Sequence, residues 1–207
     1  MVDIENLYSE RRKNVLLPIT ERLEPIVREA VSGEVRIERI VLRAKTVESF
    51  VDKASNVDED SNPKYTDPLS QIQDQVGARI ITYYTDDVIR LGKRLRDFFR
   101  HIEQRDLVPE SDSEFGYFGT HFVFFLPTDV FCAEITPERS PKFFELQIKT
   151  LFQHAWGEAN HDLAYKANTD LNGAQRRYVA YASAQAWGAD EVFNKLFNDL
   201  STENASN

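Results

Sequence analysis

Cysteine is almost absent from this chain, for Cys132 is the one thiol among 207 residues. A single thiol closes no internal disulfide and builds no cysteine-rich metal site, a usage that suits a reducing compartment. Long apolar runs are missing too. Nothing approaches the roughly 18 apolar residues of a membrane span, and the opening, Met1 to Asn14, is charged and lacks the apolar core of a secretory signal. The expected location is therefore the cytoplasm, with no membrane partner. Positive charge is the third shortage: 25 Lys and Arg face 34 Asp and Glu, a formal net charge of −9. Gripping nucleic acid over a whole surface needs a basic face, so that class is disfavoured, whereas a local basic pocket for a nucleotide is not. Apolar residues, at 42%, are plentiful enough for a sizeable core in about one domain.

The apolar pattern divides the chain. Val15, Leu16, Ile19, Leu23, Ile26, Val27 and Ala30 form one helical stripe, within an N-terminal helix, Asp3 to Ala30, that Gly33 ends. Val35 to Leu42 reads as a strand. Thr46 is a candidate N-cap for a short helix whose Val47, Phe50, Val51 and Ala54 share a face. Ser55 to Pro68 has almost no apolar side chains and is expected to be a mobile loop. Beyond it come a strand (Val76 to Tyr84), an amphipathic helix (Asp86 to His101), strands at Ile102 to Val108, Tyr117 to Leu126 and Phe143 to Ile148, a helix from Thr150 to Lys166, and a terminal helix from Asn172 to Leu200. This alternation indicates an α/β or α+β domain with a mixed sheet of about five strands. The predicted organisation is an N-terminal helix (1–33), a catalytic domain (34–170), a C-terminal helix (171–200) and a disordered tail (201–207).

Four clusters carry candidate chemistry. Arg43 and Lys45 point the same way on an extended segment, and Ser49 and Lys53 share a face of the following helix. Together they can hold a polyphosphate at a strand-to-helix junction; a solvated charged edge is the plain alternative. Asp74 stands at the entry to a buried strand, with Gly77 permitting close approach and Arg79 placed where a cation needs an anion or a π-face. Asp74 is a candidate Mg²⁺ ligand, or else a turn aspartate beside an ion-paired arginine. Gly116-Tyr117-Phe118-Gly119-Thr120-His121 frees an aromatic ring to stack on a base, unless it is a hairpin with a core tyrosine. Last, Glu145, Gln147 and Lys149 share one side of a strand whose other side is core. After them His154, Glu158, His161, Asp162 and Tyr165 recur at helical spacing, suggesting a site at the carboxyl edge of a sheet. A zinc site there is disfavoured because the His-Glu-x-x-His pattern is lacking.

Taken in order, these elements resemble the synthetase domain of the RelA/SpoT family, the (p)ppGpp synthetases, and especially its small single-domain members. The family's Arg-x-Lys-x-x-x-Ser-x-x-x-Lys, Asp-x-x-Gly-x-Arg, Gly-Tyr-Arg-Ser-x-His, Glu-x-Gln-x-Arg-Thr and His-Ala-Trp-x-x-x-x-His elements are matched, the third in part, between Arg43 and Lys166. The resemblance implies a nucleotidyltransferase-like fold and a GTP pyrophosphokinase (ATP:GTP 3′-diphosphotransferase). Such an enzyme moves the β,γ-pyrophosphate of ATP to the 3′-hydroxyl of GDP or GTP. It implies that Arg43 and Arg79 sandwich the adenine, that Lys45, Ser49 and Lys53 hold donor phosphates, and that Asp74 binds Mg²⁺. Glu145 would position the metal or activate the hydroxyl. Tyr117, His121, Gln147, Lys149 and His154 would serve the acceptor, Tyr117 by stacking on its base. The terminal helices can cap the sheet or pair between subunits; small members of the family often form tetramers, so the resemblance leaves a homo-oligomer open.

The departures from the family pattern lie on the acceptor side. Phe118-Gly119 stands where the family has Arg-Ser, acidic residues precede it, and Lys149 replaces an arginine. Two other readings therefore stand beside the alarmone synthetase. One is a toxic relative that pyrophosphorylates the 3′ end of tRNA, with Arg11-Arg12-Lys13 and Arg176-Arg177 as its only basic docking candidates. The other is a degenerate, nucleotide-binding regulator. The charge of −9 favours a small nucleotide acceptor over tRNA, and the presence of both Asp74 and Glu145 favours an enzyme.

Overall fold

The computed structural model describes residues 3–106, 116, 119–166 and 171–205. One mixed sheet is built from β1 (Ile37–Ala44), β2 (Val76–Thr82), β3 (His101–Asp106), β4 (Thr120–Phe125) and β5 (Phe143–Thr150), in the spatial order β1-β2-β5-β4-β3. β2 and β5 run parallel, and the other neighbouring pairs are antiparallel. The helices around it are α1 (Ile4–Arg11), α2 (Leu17–Ala30), α3 (Val47–Ala54), α4 (Pro68–Gln71), α5 (Thr85–Phe98), α6 (Leu151–Lys166) and α7 (Gly173–Ala205). This is the expected α+β class.

The boundaries that differ from expectation have local causes. The N-terminal stretch changes winding at a π-helical turn, Arg12–Leu16, between α1 and α2, and ends at Gly33, whose φ of 80° is the left-handed conformation glycine adopts most readily. α5 stops at Phe98 because Phe99 turns inward onto Phe124 and Phe144. α7 runs past Leu200 through Ala205, with the Ser201 and Thr202 hydroxyls donating back to the carbonyls of Phe197 and Asn198. The loop after α3 closes through a Val57–Pro63 bridge, with Asp58 accepting from the amides of Asp60 and Asn62.

Period-two alternation gives the sheet two unlike faces. Ala78, Ile80, Phe122, Phe124, Phe144, Leu146 and Ile148 are buried beneath α2 and α5. Each large side chain there contributes about 1.5–3 kcal/mol by leaving water. Gly92 of α5 lets this layer close, since a Cβ added there would lie 3.0 Å from Phe122 Cζ. The other face carries Arg43, Gly77, Arg79, Glu145, Gln147, Lys149 and His121 in neighbouring register. α6 packs over β5 and β2 on this polar face.

An ionic cluster ties α2, β1, α5 and α7 together at the far end. Asp87, 1% exposed, accepts from Arg36 through both carboxylate oxygens (2.7 and 3.0 Å) and from Arg90 at 2.7 Å. Arg36, held at φ 65°, also lies 4.6 Å from the centroid of the Phe197 ring of α7.

Candidate active site

The junction between β1 and α3 is fixed from three directions. The Lys45 amide donates to Gln75 O at 2.9 Å. The Lys45 carbonyl in turn accepts from Tyr8 Oη and Arg12 Nε, each at 3.1 Å. Thr46 caps α3 as expected, accepting from the Ser49 amide at 3.2 Å. Arg43, Lys45, Ser49 and Lys53 consequently line one cavity of about 710 Å³. Asp74, just before β2, is placed by Gln75, whose buried amide donates to Leu69 O and Ile72 O. Its two oxygens meet Lys45 Nζ at 2.9 Å and Lys53 Nζ at 3.0 Å. Burial works against the Asp74 carboxylate, but the hydrogen bond and charge of Lys45, helped by Lys53, outweigh it and hold the carboxyl below its ordinary range.

A second cavity of about 310 Å³ opens on the polar face and includes Arg43, Asp74, Arg79, Glu145, Gln147 and Glu158. Arg43 and Glu158 line both cavities, so the two adjoin. Arg79 Nη1 donates to Glu158 Oε1 at 2.6 Å and lies 3.3 Å from His154 Nδ1. Burial and then the Arg79 charge push His154 below its usual range. On the far side of β5, Glu145 Oε1 accepts from Gln147 Nε2 at 2.6 Å and faces His121 Nδ1 at 3.6 Å. Gln147 Oε1 is buried with no hydrogen-bond partner.

Two of the residues expected at the acceptor are set by α6. His154 sits with Arg79 on the cavity that Glu145 and Gln147 also line, because α6 packs over β5 and β2. Lys149 is 8% exposed beneath the same helix, and a Cβ added at Gly157 would lie 3.3 Å from its Nζ. Burial and the Arg79 charge lower its pKa. Tyr117 lies outside the described residues, as does most of the acidic stretch before it. Gly119 is required sterically: a Cβ there would come 2.4 Å from Ile148 O and 2.5 Å from Lys149 Cγ. The family's serine has no room at this point.

One expectation for the site is corrected. The polar groups occupy a face of the sheet, flanked by α6, rather than its carboxyl edge. Of the two basic runs, Arg12 bonds the Lys45 carbonyl and Arg11 is half-buried, while Lys13, Arg176 and Arg177 are exposed. Arg176 Nη1 is bonded to Leu171 O. Tyr181 and Trp187 are exposed on α7.

What the motif reading missed is how α6 is anchored. Thr150 Oγ1 accepts from the Gln153 amide at 3.0 Å while Gln153 Oε1 accepts from the Thr150 amide at 2.9 Å. This is a capping box, legible as Thr150-x-x-Gln153. The same hydroxyl bonds the buried Asp190 of α7 at 2.5 Å, a partner with no local sequence signal.

Cations, a hydroxyl and two carboxylates gathered on the polar sheet face and at the adjoining β1–α3 junction equip a site for a phosphorylated ligand. The family profile described as "Region found in RelA / SpoT proteins" matches residues 42–170, and the chain belongs to that family. The GTP pyrophosphokinase YjbM of Bacillus subtilis (strain 168) is 27% identical over 175 residues, covering 82% of this chain and 76% of the relative. The structure of small alarmone synthetase 1 from Bacillus subtilis bound to its product pppGpp is 25% identical, with a TM-score of 0.69, 94% of this chain and 96% of that chain being covered. A GTP pyrophosphokinase family protein from Streptococcus pneumoniae shares the fold at a TM-score of 0.72 and 22% identity, with 97% of each chain covered.

Proposed function

We propose that the chain transfers the β,γ-pyrophosphate of ATP to the 3′-hydroxyl of GDP or GTP, making (p)ppGpp. The observation that carries this reading is that the two cavities adjoin at Arg43 and Glu158. One holds Arg43, Lys45, Ser49 and Lys53, and the other holds Asp74, Arg79 and Glu145. The acceptor 3′-oxygen forms a bond to the donor β-phosphorus, the bond from that phosphorus to the α–β bridging oxygen breaks, and AMP leaves. The hydroxyl proton passes to the Glu145 carboxylate. Such a transfer depends on positioning and charge neutralisation more than on a strong nucleophile. Arg43 and Arg79 clasp the donor base, and Lys45, Ser49 and Lys53 hold its phosphates. Tyr117, His121 and Gln147 serve the acceptor.

Among the described residues no three His, Cys, Asp or Glu side chains form a ready-made metal cage. The pair Asp74 and Glu145 on one cavity is instead the donor set that Mg²⁺ shares with substrate phosphates, and it fits that ion. When bound, Mg²⁺ supplies further neutralisation of phosphate charge.

The test is incubation with γ-³²P-ATP and Mg²⁺ against GDP, GTP, GMP, ADP and bulk tRNA. Label is expected on guanine nucleotides. Because Glu110, Asp112 and Glu114 stand where the family is basic, the number of 5′-phosphates on the acceptor should matter little. Label on tRNA alone, or on nothing, sinks the reading. The overall charge of −9 favours a small nucleotide over tRNA.

No helix among the described residues is long and apolar enough to cross a membrane, and the reading places the enzyme in the cytoplasm with its nucleotides. The outer face of α7 exposes Tyr178, Tyr181, Val192, Leu196 and Leu200, a surface suited to a second copy. Light scattering is expected to give a multiple of the 23.9 kDa chain mass; a monomer across the micromolar range would refute the pairing.

A further inference from the structure

Glu158 falls on an unspecified position of the His-Ala-Trp-x-x-x-x-His element, yet it lies where the two cavities meet. Its carboxylate reaches from α6 to a cation that arises from the middle of β2. The Arg79 side chain is 19% exposed, and a guanidinium so placed needs a fixed anion nearby. Glu158 supplies it at 2.6 Å, and His154, one turn earlier on the same helix, approaches the same nitrogen at 3.3 Å. His154 is disfavoured as a second cation there by burial and by Arg79 itself. The negative charge at this point therefore comes from Glu158. Across the β1–β2 pair, Arg43 stands opposite Gly77 and forms no ion pair among the described residues. One arginine of the clasp is thus held and the other is free.

We propose that Glu158 is a positioning residue for the donor nucleotide: from α6 it fixes the Arg79 guanidinium in the wall of the cavity, so that the base meets one preset jaw and closes the other. This deepens the proposed function and rests on its assignment of Arg79 to the donor base. A guanidinium stacks productively only in a defined plane. Ordering it before the nucleotide arrives removes that entropic cost from binding.

The experiment compares Glu158→Ala, Glu158→Gln, Arg79→Ala and the Glu158→Ala/Arg79→Ala double variant by steady-state kinetics in both substrates. Glu158→Ala is expected to raise the KM for ATP about 3- to 10-fold, leaving kcat, the acceptor KM and the melting temperature nearly unchanged. Its side chain is 58% exposed, so the fold should tolerate the loss. Glu158→Gln keeps a hydrogen-bond acceptor and should restore most of the ATP affinity. In the Arg79→Ala background the second change should add nothing, because the effect passes through Arg79. An unchanged or lower KM for ATP in Glu158→Ala overturns the proposal, as does an additive penalty in the double variant or a parallel shift of both KM values. If Arg79→Ala itself leaves the KM for ATP unaltered, the donor-site assignment fails with it, an outcome distinct from failure of Glu158 alone.

Discussion

Glu145→Gln is expected to lower kcat by about 10²–10⁴-fold, with the substrate KM values and the melting temperature close to those of the parent. The two carboxylates of the site differ in their partners. Asp74 is clamped by Lys45 and Lys53 at 2.9 and 3.0 Å, which holds its carboxyl below the usual range and makes it a poor proton acceptor. Glu145 has no lysine on it. Its Oε1 accepts from the Gln147 amide and faces a histidine at 3.6 Å. Of the pair, Glu145 is the one arranged to take a proton from an incoming hydroxyl. Glutamine preserves the shape and the bond from Gln147 while removing that capacity, so the loss should fall on turnover. Activity within about threefold of the parent would remove Glu145 from the chemistry, and rapid-quench kinetics would place the effect on the transfer step.

The largest loss of stability is expected from Asp87→Ala, about 3 kcal/mol, read as a lower urea midpoint at unchanged slope. Asp87 is 1% exposed and joined to both Arg36 and Arg90. Deleting it leaves Arg36 without its carboxylate and Arg90 with its ion pair to Glu34 alone. The arginine side chains are 31% and 39% exposed, so water offsets part of the penalty and keeps the loss toward the lower end of the range for buried pairs. Arg36 adds a second contribution. Its φ of 65° is unusual for a residue with a Cβ, and it is held there by the bidentate bond that the substitution removes. A loss below about 1 kcal/mol would mean that the cluster only decorates a fold held elsewhere.

Much of the site was legible because it is local. Arg43, Lys45, Ser49 and Lys53 are linked by strand and helix periodicity alone. The alternation of Glu145, Gln147 and Lys149 against Leu146 and Ile148 is a property of any half-buried strand. What escaped depends on contacts made across the chain. Lys149 looked available for phosphate, but its exposure is set by α6 folding back over it. The Arg11-Arg12-Lys13 run looked like a solvated patch or a docking surface, yet Arg12 bonds the carbonyl of Lys45, 33 residues away. The end of α5 was misplaced because helical periodicity through His101 competes with the burial of Phe99, and packing against Phe124 and Phe144 wins.

The hydroxyl of Thr150 is shared by three elements: it closes β5, starts α6 and accommodates Asp190 of α7. α6 carries Glu158 and His154 at fixed turns from that point, so its rotation about its own axis is geared to the C-terminal helix. The helix that carries the exposed apolar ridge therefore shares the hydroxyl from which the helix of Glu158 starts.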